Sequence, residues 1–121
     1  MAEPILVVVD DLFFLSKIQQ TARQVGVLVE AIEPAQVKER AAKSSAHAVI
    51  LDLNHRSGTA VEVARDLKGN PDTREVQVMG FLSHVQTGLA ASAHEAGCDV
   101  VLARSAFAQQ LPKLLMKLAG S

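Results

Sequence analysis

Apolar residues fall along this chain in two alternating patterns. Short runs of three to six residues are Ile5-Leu6-Val7-Val8-Val9, Val27-Leu28-Val29, Ala48-Val49-Ile50-Leu51, Val76 to Phe81 and Val100-Val101-Leu102-Ala103. They are too short for globular helices and read as strands, most of them buried on both faces. Between them apolar residues recur at intervals of three and four. Leu15, Ile18, Ala22 and Val25 predict a first helix from Phe13 or Phe14 to about Val25, with Asp10 or Asp11 capping it and Gly26 ending it. Pro34 opens a weaker second helix to about Lys43, and Thr59 to Lys68 forms a third, stopped by Gly69-Asn70-Pro71. A fourth covers about Val85 to Ala96. Ser105 caps a last helix carrying Phe107, Leu111, Leu114, Leu115 and Leu118, and Pro112 either kinks it or marks a turn before it.

Five strands alternating with five helices predict an α/β fold, a doubly wound five-stranded parallel sheet with helices on both faces. Right-handed crossovers leave few topologies. Strand three ends in Asp52, and strand one in Asp10-Asp11. Open parallel sheets place their sites at the carboxyl ends of the strands. If these two strands are neighbours, three carboxylates converge at one edge.

Composition narrows the picture. The chain has 121 residues, 49% of them hydrophobic, which suits one domain over 1–121 with a real core. Its formal charge is -1, with Lys and Arg scattered, so nucleic acid is not an expected partner. No apolar stretch approaches a membrane span, and Met1-Ala2-Glu3-Pro4 lacks a basic leader. One cysteine, Cys98, excludes an intrachain disulfide and reads as a small buried thiol. A cytoplasmic protein with no membrane partner is the expectation. His47 and His94 read as exposed. His55 and His84 fall in loops on the site face, where each either bonds a ligand or is solvated.

These residues resemble the receiver domain of bacterial response regulators, the phospho-acceptor module of two-component signalling. Asp10-Asp11 resembles the acidic pair after strand one, Asp52 the phosphorylated aspartate, and Ala96-Gly97-Cys98 the small-Gly-small turn before strand five. The resemblance implies a flavodoxin-like sheet of strand order 2-1-3-4-5. It also implies a Mg²⁺ cofactor held by Asp11, Asp52 and the carbonyl of Asn54, with Asp10 acting through a water. A histidine kinase or phosphotransfer protein would be the donor. A downstream protein would be contacted through helix four, strand five and helix five, with Phe107, Lys113 and Met116 extending that surface; homodimerisation stays open. With nothing after helix five, the chain would be a stand-alone receiver whose only chemistry is Mg²⁺-dependent self-phosphorylation and dephosphorylation.

The chain departs from the family at three places. Arg104-Ser105 stands where the family has Lys-Pro, and the loop Asn54 to Gly58 is short and lacks proline. Arginine keeps the charge of lysine and changes its geometry, so Arg104 is expected to pair with Asp52 or Asp10. The switch hydroxyl position falls on Leu82, and Ser83 serves only if the strand slips by one residue. A receiver accepting phosphate on Asp52 thus stands against a pseudo-receiver, an interaction module not controlled by phosphate. A small hydrolase using Asp52 as nucleophile lacks a recognisable general acid.

Overall fold

The computed structural model describes residues 3–44, 47–83 and 86–120. Strands β1 (Ile5–Val8), β2 (Val29–Ala31), β3 (Ala48–Asp52), β4 (Gln77–Leu82) and β5 (Val100–Ala103) form one parallel sheet in the order 2-1-3-4-5. The helices are α1 (Leu12–Val25), α2 (Val37–Ser44), α3 (Ala60–Gly69), α4 (Thr87–Glu95), α5 (Arg104–Gln109) and α6 (Leu111–Leu118). None is long and apolar enough to cross a membrane.

The strand period of two sends alternate side chains to opposite faces. Leu6, Val8, Val49 and Leu51 meet one apolar layer, supplied by α2, α3 and α4. Ile5, Val7 and Ile50 meet the other, supplied by α1, α5 and α6. Every residue of β1 and β3 is buried, which is why both read as continuous apolar runs. Each buried Val, Leu or Ile side chain among them contributes about 1.5–3 kcal/mol by leaving water. β1 and β3 are direct neighbours, with Val8 opposite Leu51, so the acidic ends of both strands reach the same edge.

Beyond one-residue shifts at element ends, four features differ from the sequence reading, each for a local reason. β2 starts at Val29 rather than Val27. Gly26 adopts φ 74°, and the Val27 N–H then bonds Ala22 O at 2.9 Å to close the end of α1, so Val27 is not available to the sheet. Pro34 opens a single 3-10 turn over Pro34–Gln36 before α2 begins. The expected last helix is two helices. Pro112 has no N–H to continue the ladder, and Gln110 ends α5 and starts α6. Ser105 is not a cap, because β5 runs straight into α5 and Ala103 occupies the cap position without a side-chain bond. Phe107, expected on an interaction surface, is wholly buried. The beginning expected for helix four at Val85 lies outside the described residues; α4 is described from Thr87.

Candidate functional site

Asp52 is the last residue of β3 and is only 4% exposed. Its Oδ1 accepts the N–H of Asn54 at 2.9 Å, turning the chain sharply at the strand end. Among the described residues none donates to Oδ2 and no buried side-chain oxygen lacks a partner, so Oδ2 keeps some exposure. Burial pushes the carboxyl up; the Asn54 N–H opposes this and the charge of Asp10 adds to it.

The acidic pair after β1 is divided between two arginines. Asp11 Oδ1 caps α1, accepting from Phe13 N and Phe14 N at 3.0 and 3.1 Å. Its Oδ2 accepts from Arg104 at 2.6 Å. The Phe14 N–H and the Arg104 guanidinium hold this carboxyl below its ordinary range. Asp10 Oδ2 accepts the backbone N–H of Arg56 at 3.1 Å and its Nε at 3.2 Å. Burial acts upward on Asp10, but the Arg56 N–H, nearby His55 and the Arg56 side chain together keep it low.

Arg104 therefore pairs with Asp11, and not with Asp52 or Asp10 as expected. The difference follows from Phe14, whose ring lies under the guanidinium at 4.2 Å and directs it toward the start of α1. Asp10 and Asp52 lie near enough to feel each other's charge. Yet among the described residues no three His, Cys, Asp or Glu side chains are grouped to hold an ion. The donor set itself, carboxylates plus the Asn54 carbonyl, is the hard-oxygen chemistry that Mg²⁺ takes.

Ser83 lies one residue past β4, while Leu82 is buried in the core. Reaching the loop after β3 thus requires no slip in the ladder. Asn54 Oδ1 accepts the Ser83 N–H at 2.7 Å and its hydroxyl at 3.2 Å, and Asn54 Nδ2 donates to Gln86 at 2.8 Å. His55 is buried, and its Nδ1 lies 3.1 Å from the Ser57 backbone nitrogen and 3.0 Å from the Ser57 hydroxyl. His84 falls outside the described residues. Arg56 and Gln86 escaped the sequence reading. Arg56 carried a signal, a cation in the loop facing an acidic pair, whereas Gln86 carried none.

No protein-family model matches the sequence, and no curated protein matches it. Solved structures do. The receiver domain of a Pseudomonas aeruginosa sensor histidine kinase superposes with TM-score 0.83 at 20% identity, covering 100% of both chains. The fold is that of a receiver domain. A response regulator from Hahella chejuensis gives TM-score 0.83 at 14% identity, covering 98% of this chain and 96% of that one. A chemotaxis protein of Vibrio cholerae gives 0.82 at 16%, covering 98% and 99%. The Pseudomonas receiver holds a magnesium ion in its active-site cleft. Within this receiver fold, Asp52 stands at the carboxyl end of the central strand, with Asp10 and Asp11 at the end of its neighbour.

Proposed function

We propose that the chain is a response-regulator receiver that takes a phosphoryl group on Asp52 from a histidine kinase or phosphotransfer protein and signals by protein contact. The observation that carries this reading is Asp52 itself. It is a buried carboxylate ending the central strand, with one oxygen fixed by Asn54 and the other keeping some exposure. Oδ2 is thereby the nucleophile. It attacks phosphorus in line, the new P–O bond forms as the P–N bond to the donor imidazole breaks, and the imidazole takes a proton from water. Asp11, Asp52 and the Asn54 carbonyl would hold Mg²⁺, with Asp10 joined through water. The ion when bound neutralises the phosphoryl oxygens. Arg104 would supply a second positive charge, and the Ser83 hydroxyl would meet the product once released from Asn54. Phe13, 90% exposed, and Leu12, 76% exposed, stand beside the site as contacts for the donor. The downstream partner would take the face of α4, β5 and α5.

The Arg104–Asp11 pair favours a second reading, a pseudo-receiver whose site is closed by its own arginine. Incubation with a small acyl phosphate and Mg²⁺ decides between them. Gain of one phosphoryl group by the wild type, absent in D52N, is the expected result. No gain with either the acyl phosphate or a phosphorylated donor domain would favour the pseudo-receiver.

A further inference from the structure

The acidic pair after β1 already has a cation, and that cation belongs to the chain. Asp11 Oδ1 is committed to two backbone N–H groups at the start of α1. Oδ2 is the oxygen left for an ion, and Arg104 occupies it at 2.6 Å. The guanidinium is held a second time by the Phe14 ring at 4.2 Å. That ring is itself fixed, 5.1 Å from Phe81 and 5.8 Å from Phe107. Arg104 also opens α5, where the helix dipole disfavours a cation and no side chain caps the end. The Asp11 carboxylate offsets that placement. Three separate effects therefore keep the guanidinium on Asp11.

We propose that Arg104 is the resident counter-cation of Asp11, and that a divalent cation must displace it before using that carboxylate. The inference rests on the receiver reading above and adds a regulation to the same site: ion uptake and the Arg104–Asp11 pair exclude each other. A divalent cation on Oδ2 would face the guanidinium across one oxygen, and two positive charges at that separation repel strongly. Lysine at this position would yield more easily, being a flexible, strongly hydrated point charge with a weaker hold on an aromatic face. Arginine stacked on Phe14 resists. Both carboxylates of the acidic pair are thus bound by arginines, Asp10 by Arg56 and Asp11 by Arg104.

The test is Mg²⁺ binding, followed by calorimetry and by amide shifts of Asp11, Asp52 and Asn54. R104Q is expected to bind Mg²⁺ about tenfold more tightly than the wild type, within the usual range of coupling between two sites. R104K and F14L, which keep the charge and weaken its anchoring, are expected to fall between, with thermal melts showing that each variant is folded. D11N is expected to lose the gain when combined with R104Q. The wild type gives an independent reading: its Arg104 Nε–H resonance is expected to move along the same saturation curve as the Asp11 amide. Equal Mg²⁺ affinity in wild type and R104Q, with an unmoved Arg104 resonance, would overturn the competition and leave the receiver's ion site standing. No Mg²⁺ uptake by either protein would overturn both the competition and the metal part of the receiver reading. Phosphoryl transfer to Asp52 is scored separately by mass.

Discussion

At the scale of single residues, the sequence exposed the acids and concealed their partners. Asp10, Asp11 and Asp52 were legible because each ends an apolar run, where a charge has no reason to be unless the strand ends there. The choice of Arg104 between three carboxylates was not legible, since it depends on which ring lies beneath the guanidinium. Asp52 yields a stability prediction with a definite sign. Burial raises its folded pKa, so its carboxyl favours folding below the unfolded value and that contribution is lost as pH rises through the folded value. Metal-free D52N is therefore expected to be more stable than wild type at neutral pH, and to lose the advantage in acid below the ordinary carboxylate range. Urea unfolding at both pH values checks this; lower stability of D52N at neutral pH would refute it. Cys98 is similarly explicit: buried, with its thiol pushed up to about 11 by burial first and Asp99 next. Aromatic disulfide reagents are expected to modify it only after unfolding at pH 8, and fast reaction of the native protein would count against its burial. In the sequence, Phe107 belongs to the apolar pattern of the last helix and was also expected to extend the interaction surface. In the structure it is fully buried, stacked 4.7 Å from Phe81. F107A is expected to cost about 3–5 kcal/mol in urea unfolding, the usual range for such a cavity.

At the scale of elements, period and length located the five strands and the helical segments between them but not the division of the last helix into α5 and α6, and the boundaries followed hydrogen bonds that no pattern displays. Val27 is apolar and β-branched, yet its N–H closes α1 and the strand starts two residues later. The break at Gln110 was half legible: proline signalled it, but only the backbone shows that α6 begins anew there instead of bending. The turn before β5 is the element whose sequence was most constrained. Gly97 has φ 105°, a conformation that L side chains rarely adopt, and a Cβ there would lie 2.6 Å from Lys68 Cγ. Lys68 has little room to yield, because its Nζ bonds Val76 O at 2.7 Å and Asp99 Oδ2 at 2.9 Å. G97A is expected to destabilise the protein by about 1–3 kcal/mol through backbone strain, with the clash adding to it. The companion variant K68A should relieve part of that loss while costing stability alone, and additive losses in the double variant would show that the two residues do not meet.

At the scale of the whole molecule, alternating strands and helices made a parallel sheet legible and left few topologies, the order itself came from the resemblance to receivers, and the edge that carries the acids was legible because two apolar runs end in aspartate. The link between site and remote surface was not, since it runs through a polar bridge between two loops far apart in sequence. Asn54 accepts both the N–H and the hydroxyl of Ser83 and donates to Gln86 at the start of α4. In receivers a hydroxyl at this place is expected to turn toward the new phosphoryl group and draw the loop after β4 with it, biasing a two-state surface. Here the loop is already drawn to the residue two positions beyond Asp52. A phosphoryl group on Asp52 would have to take Ser83 from Asn54, and the exchange would replace one set of hydrogen bonds by another on the same side of the molecule. The differential interaction available to shift α4 and β5 is correspondingly small, and a ligand moves an equilibrium only by that difference. Beryllium fluoride with Mg²⁺, which imitates an acyl phosphate on Asp52, is therefore expected to shift amides in the loops after β1 and β3 and to leave residues 87–118 nearly unchanged. N54A removes the bridge without touching the acceptor, and its adduct is expected to move residues 87–118 more than that of the wild type. Large wild-type shifts across α4 and β5 that disappear in S83A would overturn this account, because the serine would then be a free switch rather than a tethered one.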